Sequence, residues 1–158
     1  MDDRLYGYFF EVEERFWWNV ATRRAFFRML AAIAPAPAAR VVDVGCGTGI
    51  VLREFPWPAA SLIGCDAAAL ALDLTRKRGI QDLVRGDLGA LPFADRSLDL
   101  VLALDVIEHL DDDAAALAEL ARILRPGDIS CCTSRRSICS GATRTRSTIT
   151  AAATAVQA

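Results

Sequence analysis

Glycine occupies every second position in the loop of the segment VVDVGCGTGI, residues 41–50. A β-branched run enters this loop and a helix-forming segment leaves it, a pattern typical of a strand, a tight turn and the start of a helix. Gly45, Gly47 and Gly49 have no Cβ, so a ligand can lie against the backbone, while the following helix offers free N–H groups. The pattern favours binding of part of a nucleotide. The alternative is an ordinary glycine-rich turn, because glycine spacing alone has low specificity.

Three predicted strand ends each present an acid or the glycine loop. Asp43 lies inside the first strand, where a carboxylate is costly unless it accepts hydrogen bonds from the loop or a ligand. Asp66 ends the apolar segment 61–65 and is placed to accept hydrogen bonds from ribose hydroxyls, and Asp87 follows a strand at 82–86. The carboxyl ends of strands in an open parallel sheet line the ligand crevice. We therefore expect the glycine loop and the three acids at one edge.

Four motifs follow one another along the chain. They are VVDVGCGTG at 41–49, GCD at 64–66, GDLGALPFADRSLDLVLALDVIEHL at 86–110 and ARILRPGD at 121–128. In this order and spacing they resemble the motifs of class I S-adenosylmethionine-dependent methyltransferases, over roughly residues 10–127. The resemblance implies a Rossmann-like, doubly wound, mainly parallel α/β sheet with an N-terminal helix. It also implies methyl transfer from S-adenosylmethionine to a small-molecule, lipid-linked or sugar-linked acceptor.

The resemblance further implies a cofactor site without a metal. In it the loop glycines approach the methionine and ribose, and Asp43 orders the loop. Asp66 accepts the ribose hydroxyls and Asp87 the adenine amino group, with Leu88 beside the ring, while Asp105 lies near the transferring methyl group. The implied cofactor-binding residues are Asp43, Gly45, Cys46, Gly47, Thr48, Gly49, Asp66, Ala67, Asp87, Leu88 and Asp105.

His109 is the single histidine of the chain and follows Glu108. The functional hypothesis makes His109 a general base, or a partner of Glu108, beside the acceptor. The alternative is a structural role in the loop that leaves the fourth strand.

A nicotinamide-dinucleotide fold is the nearest competing interpretation. Its fingerprint is G-x-G-x-x-G at the start of a helix. Here the glycines fall at 45, 47 and 49 and residue 50 is Ile, and neither Asp43 nor Asp87 has a role in that pattern.

Apolar residues recur at helical spacing over residues 9–34, which predicts one helix covering the sheet. The alternative is a lid over the cofactor, in which Trp17 or Trp18 stacks and Arg23 or Arg24 approaches the methionine carboxylate.

Composition indicates one globular domain, since 53% of the 158 residues are hydrophobic and 24% are charged. The net charge of −2 gives no electrostatic footprint for nucleic acid. No apolar run approaches the roughly 20 residues of a membrane span and no signal-peptide pattern opens the chain, so a cytoplasmic protein is expected. The five cysteines contain no C-x-x-C pair, which argues against a disulfide framework or a zinc site. Nothing in the sequence indicates an obligate protein partner.

The composition changes after Gly127. The resemblance predicts a second glycine and an apolar strand there, but residues 128–158 contain no Leu, Phe, Trp, Tyr or Met. We therefore predict a helical cap at 1–38, a cofactor-binding core at 39–127 and a disordered tail at 128–158. The sheet would lack its C-terminal strands, and the fourth strand would have no partner on that side.

A shift of reading frame would account for this change. Back-translation with one base inserted after Gly127 gives a second glycine and then an apolar segment that resembles the family, and sequencing the DNA tests the hypothesis. The chain would then be an inactive or cofactor-binding-only product. A natural tail or a binding extension is the rival interpretation.

Overall fold

Strands and helices alternate along the chain, as the order of apolar segments predicts. The computed structural model describes residues 3–31, 39–110 and 112–133. Its elements are α1 Asp3–Val12, α2 Trp17–Ala31, β1 Ala39–Val44, α3 Ile50–Arg53, β2 Ala59–Asp66, α4 Ala69–Lys77, β3 Leu83–Arg85, β4 Leu98–Leu104, a 3-10 turn Ile107–His109, α5 Asp113–Ile123 and β5 Leu124–Thr133. Within the described part of the chain, none of the helices has the length and apolar character to cross a membrane.

The five strands form one parallel sheet in the order β3-β2-β1-β4-β5. The chain builds outward from β1 to β3 and then returns to place β4 on the other side of β1. The strand order therefore reverses between β1 and β4, the position at which open α/β sheets bind ligands beyond the carboxyl ends. The predicted Rossmann-like, doubly wound α/β class is confirmed.

Helices cover both faces of the central strands. On one face α2 packs Phe26 and Leu30 against β1 and β4, and on the other α5 packs Leu120 and Ile123 against the same strands. Each of these four side chains is at most 6% exposed. Because successive strand residues point to opposite faces, strands covered on both sides are apolar almost throughout. This explains the nearly continuous apolar sequence of β4, LDLVLAL.

Asp112 is the residue that caps α5, because its carboxylate accepts a hydrogen bond of 2.9 Å from the Ala115 amide. Replacing Asp112 with alanine leaves that amide without its partner, and loss of such a cap costs about 1 kcal/mol. We expect Asp112→Ala to lower the free energy of unfolding by this amount in urea titrations. Asp112→Asn is the matched control, since asparagine caps as well as aspartate. Equal losses in both variants would contradict a capping role.

The N-terminal segment forms two helices, so the prediction of one helix over residues 9–34 is wrong. The break lies between α1 and α2, where the Glu13 carbonyl accepts a hydrogen bond of 2.8 Å from Arg23 Nη1. Arg23 also forms an ion pair with Glu54, with donor–acceptor distances of 3.0 and 3.1 Å. The end of α1 is therefore fixed by a contact between the two helices, which apolar spacing does not reveal.

Strand β5 corrects the expectation that β4 has no partner after residue 127. It pairs in parallel with β4 from Leu98↔Leu124 to Leu104↔Thr133, with an irregularity in register between Leu98 and Leu100. Pro126 lacks an N–H donor, which is consistent with that irregularity at the edge of the sheet. Helix α5 ends at Ile123 and β5 follows directly. Residues 134–158 lie outside the described residues, and the division into three segments stays a prediction.

Candidate functional site

The glycine loop that follows β1 has the conformation that only glycine adopts readily. Gly45, Gly47 and Gly49 have φ angles of 72°, 55° and 78°. A Cβ on Gly45 would lie 2.2 Å from Val106 Cγ2, and one on Gly49 would lie 2.6 Å from Thr75 Cγ2. Above Gly47, in contrast, the nearest atom to a Cβ is the Gly45 carbonyl oxygen at 4.0 Å. The loop is thus packed tightly at both ends and open in its middle.

Asp66, at the end of β2, holds the open part of the loop. One carboxylate oxygen accepts from the Gly47 amide at 3.0 Å and the other from the Ala68 amide at 2.9 Å. Each carboxylate oxygen can accept two hydrogen bonds, so both keep a free acceptor position. Asp66 is therefore fixed in direction and still able to accept from hydroxyl groups.

Asp43 is the second carboxylate beside the loop and is only 2% exposed. Burial, followed by the negative charge of Asp66, raises the pKa of Asp43 to about 8 from its ordinary 3.8. A positively charged ligand at the loop would offset this repulsion and favour ionised Asp43.

Asp87 lies at the same edge of the sheet. Its Oδ1 accepts from the Gly89 amide at 2.8 Å, and the carboxylate is exposed. Burial, and then the charges of Asp66, Asp43 and Asp87, raise the pKa of the Cys65 thiol to about 12. Because β1, β2 and β3 are neighbours in the parallel sheet, Asp43, Asp66 and Asp87 lie towards the same edge, as predicted.

The other predicted cofactor residues fall into two groups. Cys46, Thr48 and Leu88 are buried, and Leu88 packs in the core beneath the loop that follows β3. Ala67 and Asp105 are exposed. Cys46 is a free thiol whose pKa is raised by burial.

The segment after β4 packs against the glycine loop through Val106, which fills the space beside Gly45. Asp105 precedes it with a φ of 54°, an uncommon angle that aspartate tolerates better than most residues. His109 ends the 3-10 turn and is exposed, and the Glu108 side chain lies outside the described part of the structure. His109 therefore follows the residue that packs on the glycine loop by three positions, and its side chain is accessible to a second substrate.

The structure describes three of the side chains that the lid alternative names. Arg23 is buried and bound to Glu54 and to the Glu13 carbonyl, which contradicts its assignment to a ligand carboxylate. Trp17 and Trp18 are 68% and 59% exposed and pack edge to face on each other.

Sequence reasoning missed three residues that form hydrogen bonds with the glycine loop. Thr75 on α4 donates to the Gly47 carbonyl at 3.1 Å, and Arg78 Nε donates to the Thr48 carbonyl at 2.9 Å. Glu13 accepts from the Thr48 hydroxyl and is itself 8% exposed. The sequence contains one signal for these residues, which is the arginine at the C-terminal end of α4, Arg78. That pattern predicts an interaction with the helix dipole and not with a distant loop.

Comparison with known proteins gives a family match over residues 42–132, described as a methyltransferase domain. Demethylmenaquinone methyltransferase of Corynebacterium kroppenstedtii is 36% identical over 110 residues, covering 70% of this chain and 44% of the relative. Ubiquinone biosynthesis O-methyltransferase of Hahella chejuensis is 33% identical over 100 residues, covering 60% and 42%. The chain therefore spans less than half the length of these relatives.

A solved structure gives the same result for the fold. A complex between the Trm112 methyltransferase activator of Haloferax volcanii and its methyltransferase contains a chain with a TM-score of 0.62 and 30% identity, covering 66% of this chain and 48% of the other. These matches do not favour the dinucleotide-binding alternative. Because the family model matches more than half of the 158 residues, the chain belongs to the methyltransferase-domain family, within the class I S-adenosylmethionine-dependent methyltransferases.

Proposed function

We propose that the glycine loop binds S-adenosylmethionine and that the protein transfers its methyl group to a small organic acceptor. The observation that carries this proposal is the combination of three left-handed glycines with two carboxylates, Asp43 and Asp66, at the reversal of strand order. S-adenosylmethionine is the cofactor expected from the family.

The residues present fit this cofactor on three counts. The space above Gly47 allows a ligand to approach the backbone, since no atom lies closer than 4.0 Å to a Cβ built there. Asp66 keeps acceptor positions for ribose hydroxyls. S-adenosylmethionine carries a sulfonium and an ammonium group, and positive charge near the loop would stabilise Asp43 as a carboxylate.

When bound, the cofactor supplies an electrophilic methyl group attached to a positively charged sulfur. Departure of this sulfur as a neutral thioether would need no proton, so the site would need no acid for the leaving group. The protein therefore acts chiefly by positioning, which in well-oriented reactions supplies about 7–11 kcal/mol of the barrier. The loop glycines, Asp43 and Asp66 would hold the cofactor, and Asp87 with Leu88 would hold the adenine.

An acceptor that reacts through a hydroxyl group must also lose a proton. His109 and Glu108 are the candidate bases, because they follow β4 and Val106 of the same segment packs on the loop. The named activities of the Corynebacterium and Hahella relatives favour a quinone precursor or another hydroxylated ring as acceptor. The Haloferax complex favours including an activator protein in activity assays.

Calorimetric titration with S-adenosylhomocysteine tests the proposal, with NADH as the control ligand. We expect saturable binding of S-adenosylhomocysteine alone. Binding of neither ligand, or of NADH, would contradict the proposed site. Methyl transfer to a hydroxylated quinone precursor, followed by mass spectrometry, then separates a methyltransferase from a chain that only binds the cofactor.

A further inference from the structure

We propose that Glu13 and Arg78 are positioning residues, which couple the docking of the N-terminal helices to the shape of the cofactor loop through Thr48. This inference rests on the proposed function, because its consequence is measured as cofactor affinity. Neither residue belongs to the implied cofactor site.

Glu13 connects the end of α1 directly to the middle of the glycine loop. Its Oε1 accepts a hydrogen bond from the Thr48 hydroxyl and another, of 2.7 Å, from Arg78 Nη2. The side chains of Arg78 and Glu13 are 1% and 10% exposed, so the ion pair is shielded from water. Buried and fully partnered ion pairs depend strongly on geometry, whereas exposed pairs contribute little.

Arg78 also connects α1 to the glycine loop. Its Nε donates to the Thr48 carbonyl at 2.9 Å, so both the side chain and the main chain of Thr48 are held. Its Nη2 also donates to the Phe10 carbonyl at 3.0 Å, and the guanidinium carbon lies 4.4 Å from the centre of the Phe10 ring. One side chain thus contacts both α1 and the loop.

The same link reaches α2, because the Glu13 carbonyl accepts from Arg23 at 2.8 Å. Displacement of the N-terminal helices would remove Glu13 both from Thr48 and from Arg78. The loop would then lose one of the contacts that hold Thr48 beside Gly47, where the cofactor approaches. By linkage, cofactor binding must in turn favour the docked helices.

The chain offers a matched control in the neighbouring residue. Glu14 also forms an ion pair with Arg78, but it is 39% exposed, it pairs with Arg53 as well, and it makes no contact with the loop. Glu13→Gln and Glu14→Gln therefore remove the same charge from the same arginine, and only Glu13→Gln weakens the hydrogen bond from Thr48, because an amide oxygen accepts less strongly than a carboxylate oxygen.

The test measures the dissociation constant of S-adenosylhomocysteine and the hydrogen exchange of the loop amides in both variants. Coupling between sites is typically about 5- to 150-fold, so we expect Glu13→Gln to weaken binding at least about fivefold and to speed exchange at residues 45–49. Glu14→Gln should match the wild type. In a double-mutant cycle, Thr48→Val and Glu13→Gln should be non-additive, because both act on the hydrogen bond between Thr48 and Glu13.

Equal effects of Glu13→Gln and Glu14→Gln, or additive effects of Glu13→Gln and Thr48→Val, would overturn the inference. If Glu13→Gln does not fold, Arg78→Lys is tested in its place. Lysine keeps the positive charge, but its single ammonium group cannot donate to Glu13 and to the Thr48 carbonyl from separate nitrogens as the planar guanidinium does. Unchanged affinity and exchange in Arg78→Lys would also overturn the inference. Absence of binding by the wild type would refute the proposed function and the inference with it, whereas binding without the difference between variants would refute only the inference.

Discussion

Gly47→Ala is expected to fold and to bind S-adenosylhomocysteine about tenfold to a hundredfold more weakly than the wild type. The new Cβ meets no protein atom closer than 4.0 Å, so its cost to folding is the left-handed φ of 55°, about 1–2 kcal/mol for a residue with a Cβ. In the complex the same methyl group would occupy space next to the ligand. Overpacking of this kind costs about 1–3 kcal/mol. Calorimetry and thermal unfolding measure the two effects separately.

Gly45→Ala is the contrasting variant and is expected to fail at the stage of folding. Its Cβ would lie 2.2 Å from Val106 at a φ of 72°. Gly7→Ala serves as the control, because Gly7 lies in α1 with no atom within 4 Å of a Cβ, and alanine there should add about 0.5–1 kcal/mol. Wild-type affinity in Gly47→Ala would show that the ligand does not lie on the loop.

Local sequence predicts well those elements whose structure depends on residues close together in the chain. The bounds of β4 follow from its apolar run, and the glycine loop follows from the spacing of residues that can adopt positive φ. The division of the N-terminal segment into two helices does not follow from local sequence. It involves the hydrogen bond from Arg23 to the Glu13 carbonyl, and Arg23 is also bound to Glu54, which is 31 residues away.

Strand β5 shows the limit of composition as a guide. The residues after Gly127 lack large apolar side chains, and we therefore predicted no strand there. The ladder to β4 is made by backbone groups, which every residue except proline supplies in full. The family match also continues to residue 132. The hypothesis of a shifted reading frame after Gly127 stays a prediction.

For the site, sequence predicted the residues that face a ligand and missed those that support them. Asp66 and Asp87 could be found because they end or closely follow a strand, and Asp43 because it is an acid within an apolar strand. Thr75 lies on α4, while Glu13 and Arg78 directly follow α1 and α4, and the contacts that Glu13 and Arg78 make to the loop and to each other span 30 to 65 residues. Such contacts depend on how helices pack, so no local pattern predicts them.

Asp43→Asn is expected to make the ligand-free protein more stable at alkaline pH. The pKa of Asp43 is about 8 in the folded protein and close to 3.8 ordinarily, so between these values the folded state holds a proton that the unfolded state has lost. Stability then falls with rising pH, by about 1.4 kcal/mol per pH unit, until the pH passes about 8. Asparagine binds no proton, so the variant should lose this slope in urea titrations between about pH 5 and 8.

The same substitution should weaken cofactor binding, because a cationic ligand favours the ionised carboxylate. Binding to the wild type near neutral pH must then release a proton from Asp43, and the measured binding enthalpy should differ between buffers with different heats of ionisation. Asp43→Asn should show no such difference. Asp73→Asn is the control, since the Asp73 carboxylate is 62% exposed and pairs with Arg76 on the surface. The prediction is contradicted if the wild-type binding enthalpy does not depend on the buffer, or if the wild type and Asp43→Asn show parallel curves of stability against pH. Either result would show that Asp43 does not carry the proton that links folding to cofactor binding.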